Sequence, residues 1–175
     1  MNEQGLQKLA TRLGEALIAR GIFLATAESC TCGWLSKIVT DIPGSSSWFD
    51  CGFVVYNREA KQQMLGVPAA VIDANGEVSE ATVEAMAEGA IAQSRAAITV
   101  AISGIAGPNG GTSEKPVGTV CFAWCLADRV AGVMHNSRTI SCRELFSGDR
   151  EAVRRQAVEK GLQGVLDILQ DHASA

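Results

Sequence analysis

Two short apolar runs constrain the fold of this chain more than any other feature of its sequence. Residues 22–27 and 98–102 are apolar except for one threonine in each run. Runs this short, without alternation of polar and apolar positions, are typical of strands buried on both faces of a sheet. The sequence therefore predicts a sheet with a layer of other elements on each side.

The layers on each side of the sheet are predicted to be helices, because apolar residues recur with helical periodicity. Apolar residues recur three and four positions apart in three segments: Leu6, Leu9, Ala10, Leu13, Leu17; Val83, Met86, Ala87, Ala90, Ile91; and Val158, Leu162, Val165, Leu166, Leu169. Gly21 should end the first helix, and Asn57 and Ser79 should cap two others. A short helix is also predicted over 34–39, and the last helix should run from residue 149 or 150 to 169.

The remaining strands decide the type of sheet. Residues 52–56 form a further candidate strand, and residues 117–125 and 130–140 predict two long strands joined by a turn at 127–129, as in an antiparallel hairpin. We expect an α/β fold: a three-layer α/β/α sandwich with a mixed central sheet, in which residues 1–175 form a single domain.

Composition narrows the class of partner. A net charge of -4 and a pI near 5.2 argue against nucleic-acid and membrane surfaces, so we expect a small-molecule substrate. Because no apolar segment has the length of a signal peptide core or a membrane-spanning helix, we expect a cytoplasmic protein. The six cysteines are interpreted as thiols, because a chain of this length needs no disulfides. Their C-x-C and C-x3-C spacings and the presence of only two histidines disfavour a metal site.

Candidate reactive side chains follow the predicted strands. Ligands of open α/β sheets lie at the carboxyl ends of strands, where this sequence places Ser29, Tyr56 with Lys61, and the loop after Ser103. Ser29 between a strand and a helix is reminiscent of a nucleophile elbow, although G-x-S-x-G is absent. A helix cap by Ser29 or Thr31 is the alternative.

Cysteine nucleophiles and a general base complete the list of candidates. Cys30 and Cys32 compete with Ser29, since thiols near a helix start become more acidic, but free cysteines are usually buried. With so few histidines, Lys61 near a helix start is the candidate base, and a solvated surface lysine is the alternative. Tyr56 either moves a proton or packs.

Anion-binding groups are predicted in two places. The glycines of 104–111, beginning with Gly104, allow backbone amides to approach a phosphate, although an ordinary turn explains them equally well. Arg143 and Arg150 have the forked donors that suit phosphate. Salt bridges to Glu144 or Glu151 would also explain these arginines.

Several segments taken together resemble one family. They are A-E-S-C-T-C-G-W at 27–34, P-G-S-S at 43–46, Y-N-R-E-A-K at 56–61, L-G-V at 65–67, G-E-V-S at 76–79, S-G-I-A-G-P-N-G-G-T at 103–112, K-P-V-G-T-V at 115–120 and S-G-D-R at 147–150. Their order over nearly the whole chain is similar to the CinA carboxy-terminal domain family, in particular to its stand-alone nicotinamide-nucleotide amidases.

The resemblance implies an activity and a set of roles. It implies hydrolysis of the carboxamide of nicotinamide mononucleotide, with Ser29 as nucleophile, Lys61 as general base and Tyr56 as an assisting group, and without a cofactor or metal. Further implied substrate contacts are Thr31, Gly33, Ser103, Gly104 and Arg143, with amides of residues 31–33 at the oxyanion. The family also implies a homodimer.

Two positions depart from the family pattern. Cys32 stands where the family usually has glycine, which would matter if the backbone there has a positive φ. Ser103 stands where many members have threonine, and it keeps the hydroxyl. Two other functions remain open, namely a nucleotide-binding module without catalysis and an enzyme that uses Cys30 or Cys32.

Overall fold

The computed structural model describes residues 1–130 and 133–171. Its helices are α1 (Glu3–Arg20), α2 (Trp34–Thr40), α3 (Arg58–Leu65), α4 (Ala69–Asn75), α5 (Glu80–Ala92) and α6 (Arg150–Asp171). Its strands are β1 (Leu24–Glu28), β2 (Phe49–Val54), β3 (Ile98–Gly104), β4 (Thr119–Val130) and β5 (Val133–Leu145). No helix in these described ranges is both long and apolar enough to cross a bilayer.

A five-stranded mixed sheet lies at the centre, in the order β2-β1-β3-β4-β5. Strand β1 pairs in parallel with β2 and β3, and β4 pairs antiparallel with both β3 and β5. The residues of β1 are all buried, as the apolar run predicts. This position between two parallel neighbours places the residues that follow β1 at the carboxyl edge of the parallel strands.

Two apolar cores lie on opposite faces of the sheet. One contains side chains of α1, α2 and α6, and the other contains side chains of α3, α4 and α5. The three-layer α/β/α sandwich with a mixed sheet is therefore confirmed. The expected caps are present too: Gly21 has a φ of 62°, and the side chains of Asn57 and Ser79 accept bonds from the first turns of α3 and α5.

Three details of the predicted elements were wrong. The strand predicted at 52–56 begins earlier, at Phe49, and helix α4 was not predicted. The turn predicted at 127–129 belongs to β4, whose pairing with β5 shifts register between Asp128 and Arg129. The polar side chains there lie on a continuing strand, and residues 131–132 between the two strands lie outside the described ranges.

Candidate active site

A cleft of about 220 Å³ lies at the carboxyl edge of the parallel strands. Side chains of five residues singled out in the sequence line it: Ser29, Cys30, Tyr56, Ser103 and Arg150. Glu77 lines it as well, so segments distant in sequence meet here. This is the place where an open α/β sheet is expected to hold a ligand.

Ser29 is held at the end of β1 with little freedom. Its amide donates to the carbonyl of Ile102 at 2.9 Å, and its side chain is largely buried, with 7% of the residue exposed. Its Oγ lies 3.4 Å from the Tyr56 carbonyl oxygen and 3.3 Å from Lys61 Nζ. Helix α2 starts only at Trp34 and has no side-chain hydrogen bond from its N-cap Gly33, so the helix-cap interpretation of Ser29 and Thr31 was wrong.

The side chain of Glu28 caps the start of helix α2 instead. Its buried carboxylate accepts bonds from the amides of Gly33, Leu35 and Ser36 at 2.8 to 3.0 Å, and from the Ser36 hydroxyl at 2.6 Å. These four bonds tie the start of α2 to the end of β1 and close the loop of residues 29–33. Sequence analysis missed this residue, although an acid next to the candidate serine was visible.

The backbone of that loop limits which amides can bind an oxyanion. The amides of Cys32 and Trp34 donate to the carbonyls of Ser29 and Thr31, and Gly33 donates to Glu28. The expected role of the Gly33 amide is therefore corrected, because that amide is already engaged. Within the described ranges the amides of Cys30 and Thr31 bond to no oxygen and interact only with the Cys30 sulfur, so they are the pair left for an oxyanion.

Cys32 has the positive φ that the family glycine suggests. Its φ is 51°, and Gly33 after it has a φ of 87°. A residue with a Cβ is strained by about 1 kcal/mol in this left-handed region. The departure from glycine therefore has a physical cost, which lies in the loop that holds Ser29.

Replacing Cys32 with glycine should stabilise the protein by about 1 kcal/mol, because the left-handed backbone then carries no Cβ. Urea unfolding of the Cys32→Gly and Cys32→Ala variants measures the effect. Alanine keeps the Cβ, so it should show no such gain. Equal stability of the two variants would contradict the assignment of strain to this residue.

Arg154 holds the same loop from α6. Its Nε donates to the Cys30 carbonyl at 2.9 Å and its Nη2 to the Thr31 carbonyl at 2.8 Å, while its guanidinium lies over the ring of Trp34. In a planar trans peptide the N–H points opposite to the C=O. The bond to the Cys30 carbonyl therefore directs the Thr31 amide away from Arg154. Sequence analysis missed this arginine because its partners are backbone atoms.

The Thr31 side chain does not line the cleft. It is fully buried, and its hydroxyl has no hydrogen-bond partner within the described ranges. The expected contact of Thr31 with substrate is therefore restricted to its backbone amide.

Lys61 is a buried lysine, so the surface interpretation was wrong. It lies on the first turns of α3, which the Asn57 side chain caps by accepting from the Ala60 amide at 2.8 Å. Lys61 has no exposed area. Its Nζ lies 3.3 Å from both Ser29 Oγ and the Tyr56 carbonyl oxygen, and 2.9 Å from Glu77 Oε2. Three acceptors around one amine match the three donors of an ammonium group.

Tyr56 takes part through its backbone more than through its ring. Its carbonyl is shared by Ser29 and Lys61, whereas the residue is 57% exposed and therefore does not belong to either apolar core. The phenol oxygen lies 3.4 Å from Arg150 Nη2, at the mouth of the cleft. The ring is thus available to a ligand.

Ser103 and Gly104 have structural partners. The Ser103 hydroxyl donates to the Glu77 carbonyl at 2.8 Å. A Cβ at Gly104 would lie 2.9 Å from the Thr119 carbonyl oxygen of the neighbouring strand. Both residues line the cleft. The close approach of the neighbouring strand is sufficient to explain the glycine, without any contact with substrate.

The two candidate arginines are separated by the fold. Arg143 lies on β5 opposite Cys121 and borders another cleft, together with Glu114 and Glu144, so the described chain does not bring it to Ser29. Arg150, the first residue of α6, lines the Ser29 cleft and donates to the Gly107 carbonyl at 2.8 Å. The expected salt bridges are absent from the described ranges, since Glu144 pairs with Lys160 and Glu151 with Arg155.

The cysteine alternative meets an electrostatic obstacle. Burial raises the pKa of the Cys30 thiol to about 12, so the thiolate is scarce at neutral pH. Cys32 is exposed and lies on the other side of the loop, next to a cleft of about 510 Å³ that also contains Trp34 and Arg154. Ser29 is the nucleophile candidate that faces a buried base.

The layered fold and this cleft together define an α/β protein with a hydrolase-like site, in which a serine hydroxyl meets a buried amine at the carboxyl edge of the sheet. The chain belongs to the CinA C-terminal domain family, whose model matches residues 6–169.

Named relatives agree with that family over almost the whole chain. The nicotinamide-nucleotide amidohydrolase PncC of Escherichia coli K12 is 52% identical over 93% of this chain and 94% of its own. The PncC protein of Pseudomonas putida is 48% identical over 91% and 94%. The crystal structure of the competence/damage inducible protein CihA from Agrobacterium tumefaciens superposes with a TM-score of 0.86 at 36% identity, covering 97% of each chain.

Proposed function

We propose that this protein is a nicotinamide-nucleotide amidohydrolase, which converts nicotinamide mononucleotide and water to nicotinate mononucleotide and ammonia. The observation that carries the proposal is the buried Lys61 amine 3.3 Å from Ser29 Oγ, in a cleft at the carboxyl edge of the sheet. The similarity to amidohydrolases with that substrate in their names supports the choice of amide.

The first half of the reaction forms an acyl-enzyme. Ser29 Oγ attacks the carboxamide carbon while the neutral amine of Lys61 takes the hydroxyl proton. The amides of Cys30 and Thr31 then donate to the oxyanion of the tetrahedral intermediate. Lys61 returns its proton to the nitrogen of the leaving group, and ammonia departs.

The second half repeats these roles with water. Water attacks the acyl carbon as Lys61 accepts one of its protons, and the collapse of the intermediate returns the hydroxyl to Ser29. Tyr56, with its exposed phenol at the mouth of the cleft, assists by binding the substrate or the departing ammonia.

Arg150 is the proposed phosphate ligand in place of Arg143. It stands at the N-terminal end of α6 and on the cleft wall, and a guanidinium binds phosphate oxygens in pairs. Arg150→Gln should raise KM for nicotinamide mononucleotide roughly 10- to 100-fold, the value of a charge-assisted bond. Steady-state kinetics of ammonia release measure this.

Two comparisons sharpen that prediction. Nicotinamide riboside lacks the phosphate, so its kcat/KM should be the same for Arg150→Gln and the unmodified protein. Arg143→Gln is the matched variant: if it raises KM and Arg150→Gln does not, Arg143 is the phosphate ligand.

The proposed function also includes a location, an oligomeric state and a class of partner. We propose a cytoplasmic homodimer without nucleic-acid or membrane contacts, which the net charge of -4 supports. Strand β5 at the edge of the sheet exposes Val133, Met134, Ile140 and Leu145, and such an edge suits a second copy.

The deciding experiment measures ammonia release from nicotinamide mononucleotide by the purified protein, with Ser29→Ala as the blank. In ¹⁸O-labelled water the nicotinate product should carry one labelled oxygen. Binding of the nucleotide without turnover would favour the alternative, a binding module of the same fold. Turnover that survives Ser29→Ala would contradict the assigned nucleophile.

A further inference from the structure

Within the described ranges Glu77 is the acidic residue in hydrogen-bond contact with the reactive pair, and the reaction proposed above does not use it. Its Oε2 lies 2.9 Å from Lys61 Nζ, the shortest of the three contacts of that amine. The Lys61 side chain has no exposed area, whereas 44% of the Glu77 side chain is exposed. The carboxylate therefore connects the buried amine with solvent.

The segment that carries Glu77 is anchored from three directions. The Ser103 hydroxyl donates to the Glu77 carbonyl at 2.8 Å, the Thr82 hydroxyl to the Gly76 carbonyl at 2.7 Å, and Lys115 Nζ to the Asn75 carbonyl at 2.8 Å. These side chains come from β3, α5 and the loop before β4. The position of the carboxylate is fixed before any substrate arrives.

We propose that Glu77 is a positioning residue for Lys61, the third member of a Ser29–Lys61–Glu77 relay. It orients the amine towards Ser29 and stabilises the ammonium that forms when Lys61 takes the serine proton, as an orienting group does for the base in other nucleophile–base pairs. Its exposed oxygen is also the exit through which the buried amine releases a proton to solvent. This inference rests on the proposed roles of Ser29 and Lys61.

Other charged groups lie near this contact. They are Arg58, which pairs with Asp73 and lies within electrostatic reach of Glu77, Lys115, whose Nζ binds the Asn75 carbonyl, and Arg150 with the Tyr56 phenol across the cleft. Among these groups and Glu77, only Glu77 forms a hydrogen bond with Lys61 Nζ in the described ranges.

Ser29 labelling by a fluorophosphonate tests this independently of the substrate. In this reaction Ser29 Oγ bonds to phosphorus, fluoride leaves, and the hydroxyl proton passes to Lys61. Glu77→Gln should slow labelling about 100-fold, because the amine loses the charge that orients it and stabilises the ammonium formed in the reaction. Glu77→Asp keeps the charge, so it should recover most of the labelling rate.

Glu80→Gln is the matched control, because Glu80 is exposed, lies three residues away and does not line the cleft. It should label like the unmodified protein. A Glu77→Asp variant that labels as slowly as Glu77→Gln would overturn the relay, since a loosened loop alone gives that result. Normal labelling of Glu77→Gln would also overturn it. Ser29 labelling without hydrolysis of nicotinamide mononucleotide would contradict the proposed substrate and leave this test of Glu77 valid.

Discussion

Replacing Lys61 with methionine should lower hydrolysis of nicotinamide mononucleotide by roughly 10⁴-fold or more, the size of loss that removal of a base from a nucleophile–base pair causes. Methionine fills a similar volume but cannot accept the proton of Ser29. The amine is fully buried and lies 3.3 Å from Ser29 Oγ, so water cannot easily replace it. Single-turnover ammonia release measures the loss.

The same variant should remain as stable as the unmodified protein. A buried ammonium is costly to desolvate, and its removal is harmful chiefly when it leaves a buried partner charge. Its partner Glu77 is 44% exposed and stays hydrated. Urea unfolding should therefore give a free energy within about 1 kcal/mol of the original value.

Lys8→Met controls for the loss of a positive charge, because Lys8 lies on the exposed side of α1. It should keep full activity. A Lys61→Met protein that is both inactive and several kcal/mol less stable would show that Lys61 is structural. Retained hydrolysis in a folded Lys61→Met protein would remove Lys61 from the mechanism.

Local signals in the sequence predicted the frame of this site correctly. The apolar run before Ser29 defines β1, and Asn57 defines the start of α3, so the ends of two elements could be predicted from the sequence. These signals depend on residues close in sequence. They identify which turn bears Lys61, but not that its amine is buried or that Glu77 lies beside it.

The unpredicted features depend on partners distant in sequence or on backbone atoms. Arg154 binds carbonyls 123 and 124 residues away, and nothing in its own neighbourhood indicates this. The choice between Arg143 and Arg150 required the sheet order, because β5 carries Arg143 along the edge strand while α6 starts beside β1 and β3. Both candidates are arginines, so residue type alone could not decide which of them binds phosphate.

Secondary-structure errors have the same physical origin. Helix α4 is only Ala69–Asn75, too short for a periodic pattern to stand out, and it is held by packing on α5. Residues 127–129 were assigned to a turn from the polar pair Asp128 and Arg129. The ladder with β5 continues through them, since pairing across a sheet outweighs local propensity.

Replacing Glu28 with glutamine should destabilise the protein by about 3 kcal/mol. The carboxylate accepts four hydrogen bonds from Gly33, Leu35 and Ser36, two on each oxygen. A glutamine offers one oxygen and one NH₂ group, so the NH₂ group must face former donors whichever way it is turned. Each buried amide that loses its acceptor costs about 1–3 kcal/mol.

The damage should be concentrated at the start of α2. Amide hydrogen exchange should accelerate for Gly33, Leu35 or Ser36 before it does so in β3, and urea unfolding gives the total loss. Glu15→Gln on the exposed face of α1 is the matched control and should have no effect. Uniform acceleration throughout the chain would mean that Glu28 supports the whole fold rather than this loop.

Loss of activity should accompany the loosening, because the Glu28 bonds close the loop that presents Ser29 and the amides of Cys30 and Thr31. Oxyanion donors act only when they are already aligned, so kcat should fall while KM changes little. A Glu28→Gln protein with normal kcat would show that Arg154 alone is sufficient to hold the loop, since its two bonds to the Cys30 and Thr31 carbonyls would remain.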